Sequence, residues 1–97
     1  MNINQLMQQA QKMQKDIRKS QEEVSKMTFT SKKDLVEVEC DGNKKITKIV
    51  IDSSVEKEDI EALEDMLLLA VNDVINQADK AMESKLGKYS SMMPGMF

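Results

Sequence analysis

The first 27 residues carry apolar side chains seven positions apart, and no other feature of the sequence restricts the fold as strongly. The apolar positions are Ile3, Leu6, Ala10, Met13, Ile17, Val24 and Met27. Heptad spacing places these side chains along one narrow seam of an α-helix. It predicts a helix of about 36 Å over residues 3–26, with a seam that packs against another helix or a partner.

The pattern changes after Met27 to an alternation of apolar and polar residues. This alternation predicts three short strands over residues 28–30, 35–40 and 46–51. Residues 41–44 predict a tight turn, because they include Gly and Asn, which tolerate positive φ. A looser turn is expected over residues 31–34. The result is a three-stranded antiparallel meander. Its buried face is expected to hold Val36, Val38 and Cys40.

A long second helix is predicted from about Ile60, with Gly87 as its C-cap. Its apolar stripe is too broad for one seam, which indicates burial against its own sheet and against a second subunit. The order of helix, sheet and helix predicts an α+β fold, and the apolar surplus predicts a two-fold homodimer. The dimer interface is expected to include Leu63, Leu67, Val71, Val74, Val36 and Val38.

The length of 97 residues fits a single domain. We assign this domain to residues 1–88. Residues 89–97 are expected to form a flexible C-terminal tail, since they include Pro94 and Gly95 among short polar and Met residues.

Composition argues against catalysis. The chain has no His and a single Cys, which excludes Cys/His zinc sites and His-based general bases. We therefore predict no enzyme activity, no catalytic or metal-binding residues, no cofactor and no small-molecule substrate. The N-terminus lacks the features of a signal peptide, and the longest apolar run, residues 66–71, is too short to span a membrane. A cytoplasmic protein without a membrane partner is expected.

The net charge of -3 conceals an uneven distribution of charge. Residues 1–50 contain ten basic and seven acidic residues, whereas residues 51–97 contain four basic and ten acidic ones. Residues 12–33 hold seven of the basic residues and only three acidic ones. This stretch is either a solvated helix face or the electrostatic footprint of a polyanion site.

Short motifs occur along the chain, from INQLMQQAQKMQ at residues 3–14 through LEDML at 63–67 to MPGMF at 93–97. Together they resemble the YbaB/EbfC family of bacterial nucleoid-associated proteins. The opening INQLMQQAQKMQ at residues 3–14 is similar to the family's start, and LVEV at residues 35–38 with the following Asp41 and Gly42 is similar to its hairpin. IVID at residues 49–52, LEDML at 63–67 with AVNDV at 70–74, and MPGMF at 93–97 resemble later parts of the pattern. Residues 31–34 depart from it, because the family usually has a glycine-rich stretch there.

The resemblance implies a homodimer with projecting helical arms that binds duplex DNA in the nucleoid, with a role in nucleoid organisation and gene regulation. DNA contact is expected mainly through phosphate and shape, since Arg18 alone offers the bidentate geometry that reads guanine. The expected DNA-binding residues are Lys12, Lys15, Arg18, Lys19, Lys26, Lys32 and Lys33. The alternative is a structural or adaptor protein whose arms bind another protein without direct DNA contact.

Overall fold

The computed structural model describes residues 2–90 and confirms the predicted order of helix, meander and long helix. The elements are α1 (Ile3–Ser25), β1 (Thr28–Lys33), β2 (Val36–Asp41), β3 (Ile46–Ile51), a short 3-10 helix (Lys57–Asp59) and α2 (Ile60–Ser90). The strands lie in the order β1-β2-β3, and both pairings are antiparallel. The molecule is elongated, with extents of 70 × 20 × 13 Å.

The start of α1 is fixed by a reciprocal cap. The Asn2 side chain accepts a hydrogen bond from the Gln5 backbone N–H at 2.8 Å, and the Gln5 side chain accepts one from the Asn2 backbone N–H at 3.4 Å. Such a capping box satisfies two backbone donors that would otherwise lack partners at the first turn. The helix therefore begins close to the N-terminus.

The main core lies between the sheet and α2. Four-residue spacing along α2 and two-residue spacing along β2 each place side chains on one face. The side chains that meet there are at most 1% exposed: Val36, Val38, Cys40, Ala70, Val74 and Ala78. The Cys40 thiol donates a hydrogen bond to the Val74 carbonyl oxygen at 3.4 Å. Burial, followed by the charges of Asp41 and Glu39, raises the pKa of the Cys40 thiol, so it stays protonated near neutral pH.

A second cluster joins α1 to the far end of α2. Ile17 packs with Leu86 and Tyr89, and all three are buried. Further along α1, Glu23 accepts from Lys85 at 3.4 Å, so the two helices run antiparallel. The heptad seam of α1 is thus covered within the same chain over its C-terminal half, and the two helices form an arm that extends from the sheet.

The C-terminal end of the domain differs from the sequence expectation. Helix α2 continues through Gly87 to Ser90, and Tyr89 is only 8% exposed. The prediction of Gly87 as a C-cap is therefore wrong, and the expected domain end at residue 88 falls inside a helix. Because Tyr89 packs on α1, helix α2 continues past Gly87, although glycine often ends a helix. The rest of the predicted tail, residues 91–97, lies outside the described residues.

The first turn is tighter than predicted. Strand β1 extends to Lys33, which pairs with Val36, so the turn contains only Asp34 and Leu35. Asp34 has a φ of 51°, a conformation that Asp and Asn tolerate better than most residues. The expected turn at residues 31–33 is wrong because these residues are paired in the sheet.

In the second turn, at residues 41–44, Gly42 is needed because a side chain would not fit there. The positive φ of 65° belongs to Lys44, not to Gly42 or Asn43. The Asp41 carboxylate organises this turn by accepting from the Asn43 and Lys45 backbone N–H groups at 2.9 and 3.0 Å. A Cβ at Gly42 would lie 1.7 Å from the Val24 carbonyl oxygen. The absence of a side chain therefore lets the hairpin contact the last turn of α1.

Candidate nucleic-acid interface

Five basic residues of the α1 segment lie on one side of it. At about 100° per residue, they fall within an arc of about 120°, and the centre of that arc lies about 170° from the packed seam. We call this surface the cationic face. Its members are Lys12, Lys15, Arg18, Lys19 and Lys26, all of them exposed. Because the seam on the other side is anchored by Ile17 and Val24, packing on α2 turns the cationic face outward.

The cationic face is long and largely free of internal neutralisation. From Lys12 to Lys26 it extends about 21 Å along the helix axis. Among residues 2–90 there are three ion pairs, and none of them uses a member of this face. Towards the N-terminus, Gln5, Gln8 and Gln9 line a shallow open depression together with Lys12. The surface therefore combines fixed positive charge with amide donors, and Glu22 is the acidic residue within its arc.

Lys32 and Lys33 lie away from that face, on β1. They point to opposite sides of the sheet because they are consecutive strand residues. Lys33 Nζ is 3.8 Å from the Asp73 carboxylate, and Lys32 is paired across the strands with Glu37. The pKa of the Asp73 carboxyl is lowered, first by the neighbouring Ser31 side chain and also by Lys33. Both lysines thus have carboxylates beside them, unlike the cationic face.

The residues expected at a dimer interface divide into two groups. Val36, Val38 and Val74 are at most 1% exposed within the single chain, so their side chains are already covered. The others are half-buried and pack at the edge of the same core: Leu63, Leu67 and Val71. Only the second group leaves apolar surface for another chain.

Sequence reasoning did not identify an exposed apolar surface on β3. Ile49 and Ile51 pair with Val38 and Val36, so they share the face that α2 covers on β2. They are nevertheless 51% and 45% exposed. A helix about 10 Å in diameter covers about two strands spaced 4.8 Å apart. The part of β3 that holds Ile49 and Ile51 is left uncovered, whereas Ile46 packs against the core. The width of the meander was a signal available from the sequence.

Helix α2 extends the uncovered surface. Its Gln77 side chain donates to the Thr30 carbonyl oxygen of β1 at 3.1 Å, which fixes the flank that faces β1. Leu68 lies about 180° around the helix from Gln77, on the flank towards β3, and is 63% exposed. We call the combined surface the open apolar surface. It comprises Ile49, Ile51 and Leu68.

The described part of the chain lacks groups of metal ligands and helices that could span a membrane. Within residues 2–90, no three His, Cys, Asp or Glu side chains are grouped so that they could hold a metal ion. No helix in this range is both long and apolar enough to cross a membrane.

The fold and these surfaces define a class of small, elongated α+β proteins with a two-helix arm and a cationic outer face. A family model, the YbaB/EbfC DNA-binding family, matches residues 1–93. The chain belongs to this family. It is a family of DNA-binding proteins, not one known for enzyme activity.

Bacterial relatives and a solved structure agree with this assignment. A nucleoid-associated protein of Streptococcus thermophilus is 41% identical and one of Lactococcus lactis 43% identical, each over 97% of this chain and 98% of the relative. The crystal structure of an uncharacterized protein from Helicobacter pylori matches with a TM-score of 0.69 and 29% identity, over 98% of this chain and 99% of that one. The likeness therefore extends over the whole fold.

Proposed function

We propose that the protein binds duplex DNA in the bacterial nucleoid through the cationic face of α1. The observation that carries this proposal is the position of five exposed cations opposite the packed seam, free of the ion pairs that engage Lys33, Lys44 and Lys85. Each phosphate that these cations neutralise releases condensed counterions. Family membership and the names of the relatives support the same function.

Binding is expected to depend on backbone and shape more than on base sequence. Four of the five cations are lysines, which act as point charges on phosphates. Arg18 alone offers the planar fork that contacts guanine in a bidentate manner. Modest sequence preference follows from this chemistry. The names of the relatives support a place in the cytoplasmic nucleoid, where the role of the protein would be to organise the nucleoid and to influence transcription.

The protein is further proposed to act as a two-fold homodimer. The open apolar surface combines an uncovered strand face with the adjacent flank of α2, and a second α2 would fit over β3 much as the first fits over β1 and β2. Leu63, Leu67 and Val71 border this surface on the same helix. Two copies would then present two cationic faces, which doubles the number of phosphate contacts.

The test of DNA binding is a gel-shift titration on a mixed-sequence duplex, at several salt concentrations and with unrelated competitor DNA. Two engaged faces provide about ten cations, and the slope of log affinity against log salt is about -0.9 per phosphate. We expect a slope between about -4.5, for one engaged face, and about -9, for two. No shift at low salt would contradict DNA binding and favour the adaptor alternative.

Dimer formation is tested independently by light scattering. Each chain has a mass of 11.0 kDa, and the measured mass should be twice that value. A single-chain mass at micromolar concentration would refute the dimer without refuting DNA binding by one arm. The two proposals can therefore fail separately.

A further inference from the structure

The seam of α1 loses its cover towards the N-terminus. Ile17 is only 3% exposed because α2 packs on it, whereas Ile3, Leu6 and Met7 are 74%, 51% and 55% exposed. Together with the exposed Ala10, these side chains occupy an arc of about 100° that continues the packed part of the seam. We call them the N-terminal stripe. Exposed apolar side chains at this density on one helix face indicate an interaction surface.

The antiparallel arrangement of the helices directs the chain towards this stripe. Tyr89 packs on Ile17, with Met13 beside the same cluster. Chain that continues past Ser90 in the same sense moves towards lower residue numbers of α1. The distance along α1 from Met13 to Ile3 is about 15 Å, and the seven residues 91–97 can span up to about 23 Å. Their length is therefore sufficient to reach the stripe.

The chemistry of these seven residues matches the stripe. None of them is charged, and four are large and apolar: Met92, Met93, Met96 and Phe97. Methionine is unbranched and fills irregular apolar surfaces well. The stripe itself contains no charged residue, whereas the cationic face lies on the other side of the helix. A segment of this composition complements the seam side of α1.

We propose that residues 91–97 dock on the N-terminal stripe of the same chain. In this proposal the docked segment covers the seam of α1 beyond the point where the described part of α2 ends. The packed part of the seam is thereby extended towards Ile3. The cationic face stays accessible, because it lies opposite the seam. This inference is independent of DNA binding, since it concerns only the apolar side of the arm.

Paired cysteines test the contact directly. Leu6→Cys and Met96→Cys, in a Cys40→Ala background, place one thiol on the stripe and one on the docking segment. The matched control replaces Leu6→Cys by Gln8→Cys, about 160° away around the helix. Under mild oxidation, the stripe pair should form an intrachain disulfide about tenfold faster than the control pair, because a disulfide requires Cα atoms within about 7 Å. Equal rates, or disulfides only between chains, would overturn the proposal.

Amide hydrogen exchange supplies a measurement that keeps Cys40 in place. The variant carries Met92→Ser, Met93→Ser, Met96→Ser and Phe97→Ser. We expect exchange in residues 3–10 to accelerate several-fold relative to the parent protein, while residues 46–51 exchange as before. Unchanged exchange in residues 3–10 would show that something else covers the stripe, or that it stays bare.

Discussion

Neutralising part of the cationic face should reduce the salt dependence of DNA binding by a calculable amount. Lys15→Gln, Arg18→Gln and Lys19→Gln remove three of its five cations from each chain. All three side chains are exposed and lie opposite the packed seam, so the fold and the dimer are expected to persist. The substitutions therefore isolate the electrostatic part of binding.

The magnitude follows from counterion release. Removing three phosphate contacts per chain lowers the absolute salt slope by about 2.7 if one face engages the duplex and by about 5.4 if two do. Between 50 and 200 mM salt, ten contacts correspond to a loss of about five orders of magnitude in affinity. With four contacts remaining, the loss over the same range should fall to about two orders.

Fluorescence anisotropy with a labelled duplex measures the slope over this range. The control variant carries Lys45→Gln, Lys48→Gln and Lys57→Gln, which change the net charge equally but lie outside the cationic face. It should retain a slope close to that of the parent. An unchanged slope for the α1 variant, or an equal reduction in both variants, would refute the assignment of the DNA contact to α1.

Three further predictions concern stability and assembly. Gly42→Ala should reduce the free energy of unfolding in urea by about 1–3 kcal/mol, because the new Cβ would overlap the backbone of α1. Gly87→Ala should raise the free energy of unfolding by about 0.5–1 kcal/mol, because Gly87 lies in a helix interior with open space for a Cβ. If Gly42→Ala were the more stable of the two variants, both explanations would be contradicted. Val74→Ala should cost about 2 kcal/mol in the same assay, since it leaves a cavity in the core, and a cost near zero would argue against this packing. Ile49→Lys with Leu68→Lys should yield monomers by light scattering while the circular dichroism spectrum is retained; an intact dimer would place the interface elsewhere.

The sequence predicted the elements well because each has a strong period. The heptad spacing of α1 and the alternation of β3 gave bounds within one or two residues of the observed ones. The cations of α1 could also be assigned to one face from their spacing alone, because helical geometry fixes their angular positions. The local sequence pattern was sufficient to predict surfaces that belong to a single helix or strand.

Apart from the turn expected at residues 31–33, which is local to one hairpin, the failures involve contacts between distant parts of the chain. Nothing near Gly42 in sequence shows that Val24 approaches it, and nothing near Gly87 shows that Tyr89 is held by Ile17. Hydrophobicity alone also could not distinguish Val74, which is buried within the chain, from Leu68, which is not. That distinction depends on how many strands one helix can cover, which is a property of the assembled layers.

The contact between Ile17 and Tyr89 has a consequence for biosynthesis. It joins residues about 70 positions apart, so α1 leaves the ribosome long before its packing partner exists. At about 5–20 residues per second, this interval lasts several seconds. An isolated helix of 23 residues with a polar composition is only marginally stable in water. The arm therefore forms after the chain has been translated at least to Tyr89, and a nascent chain that stops earlier displays its cations on an unanchored segment.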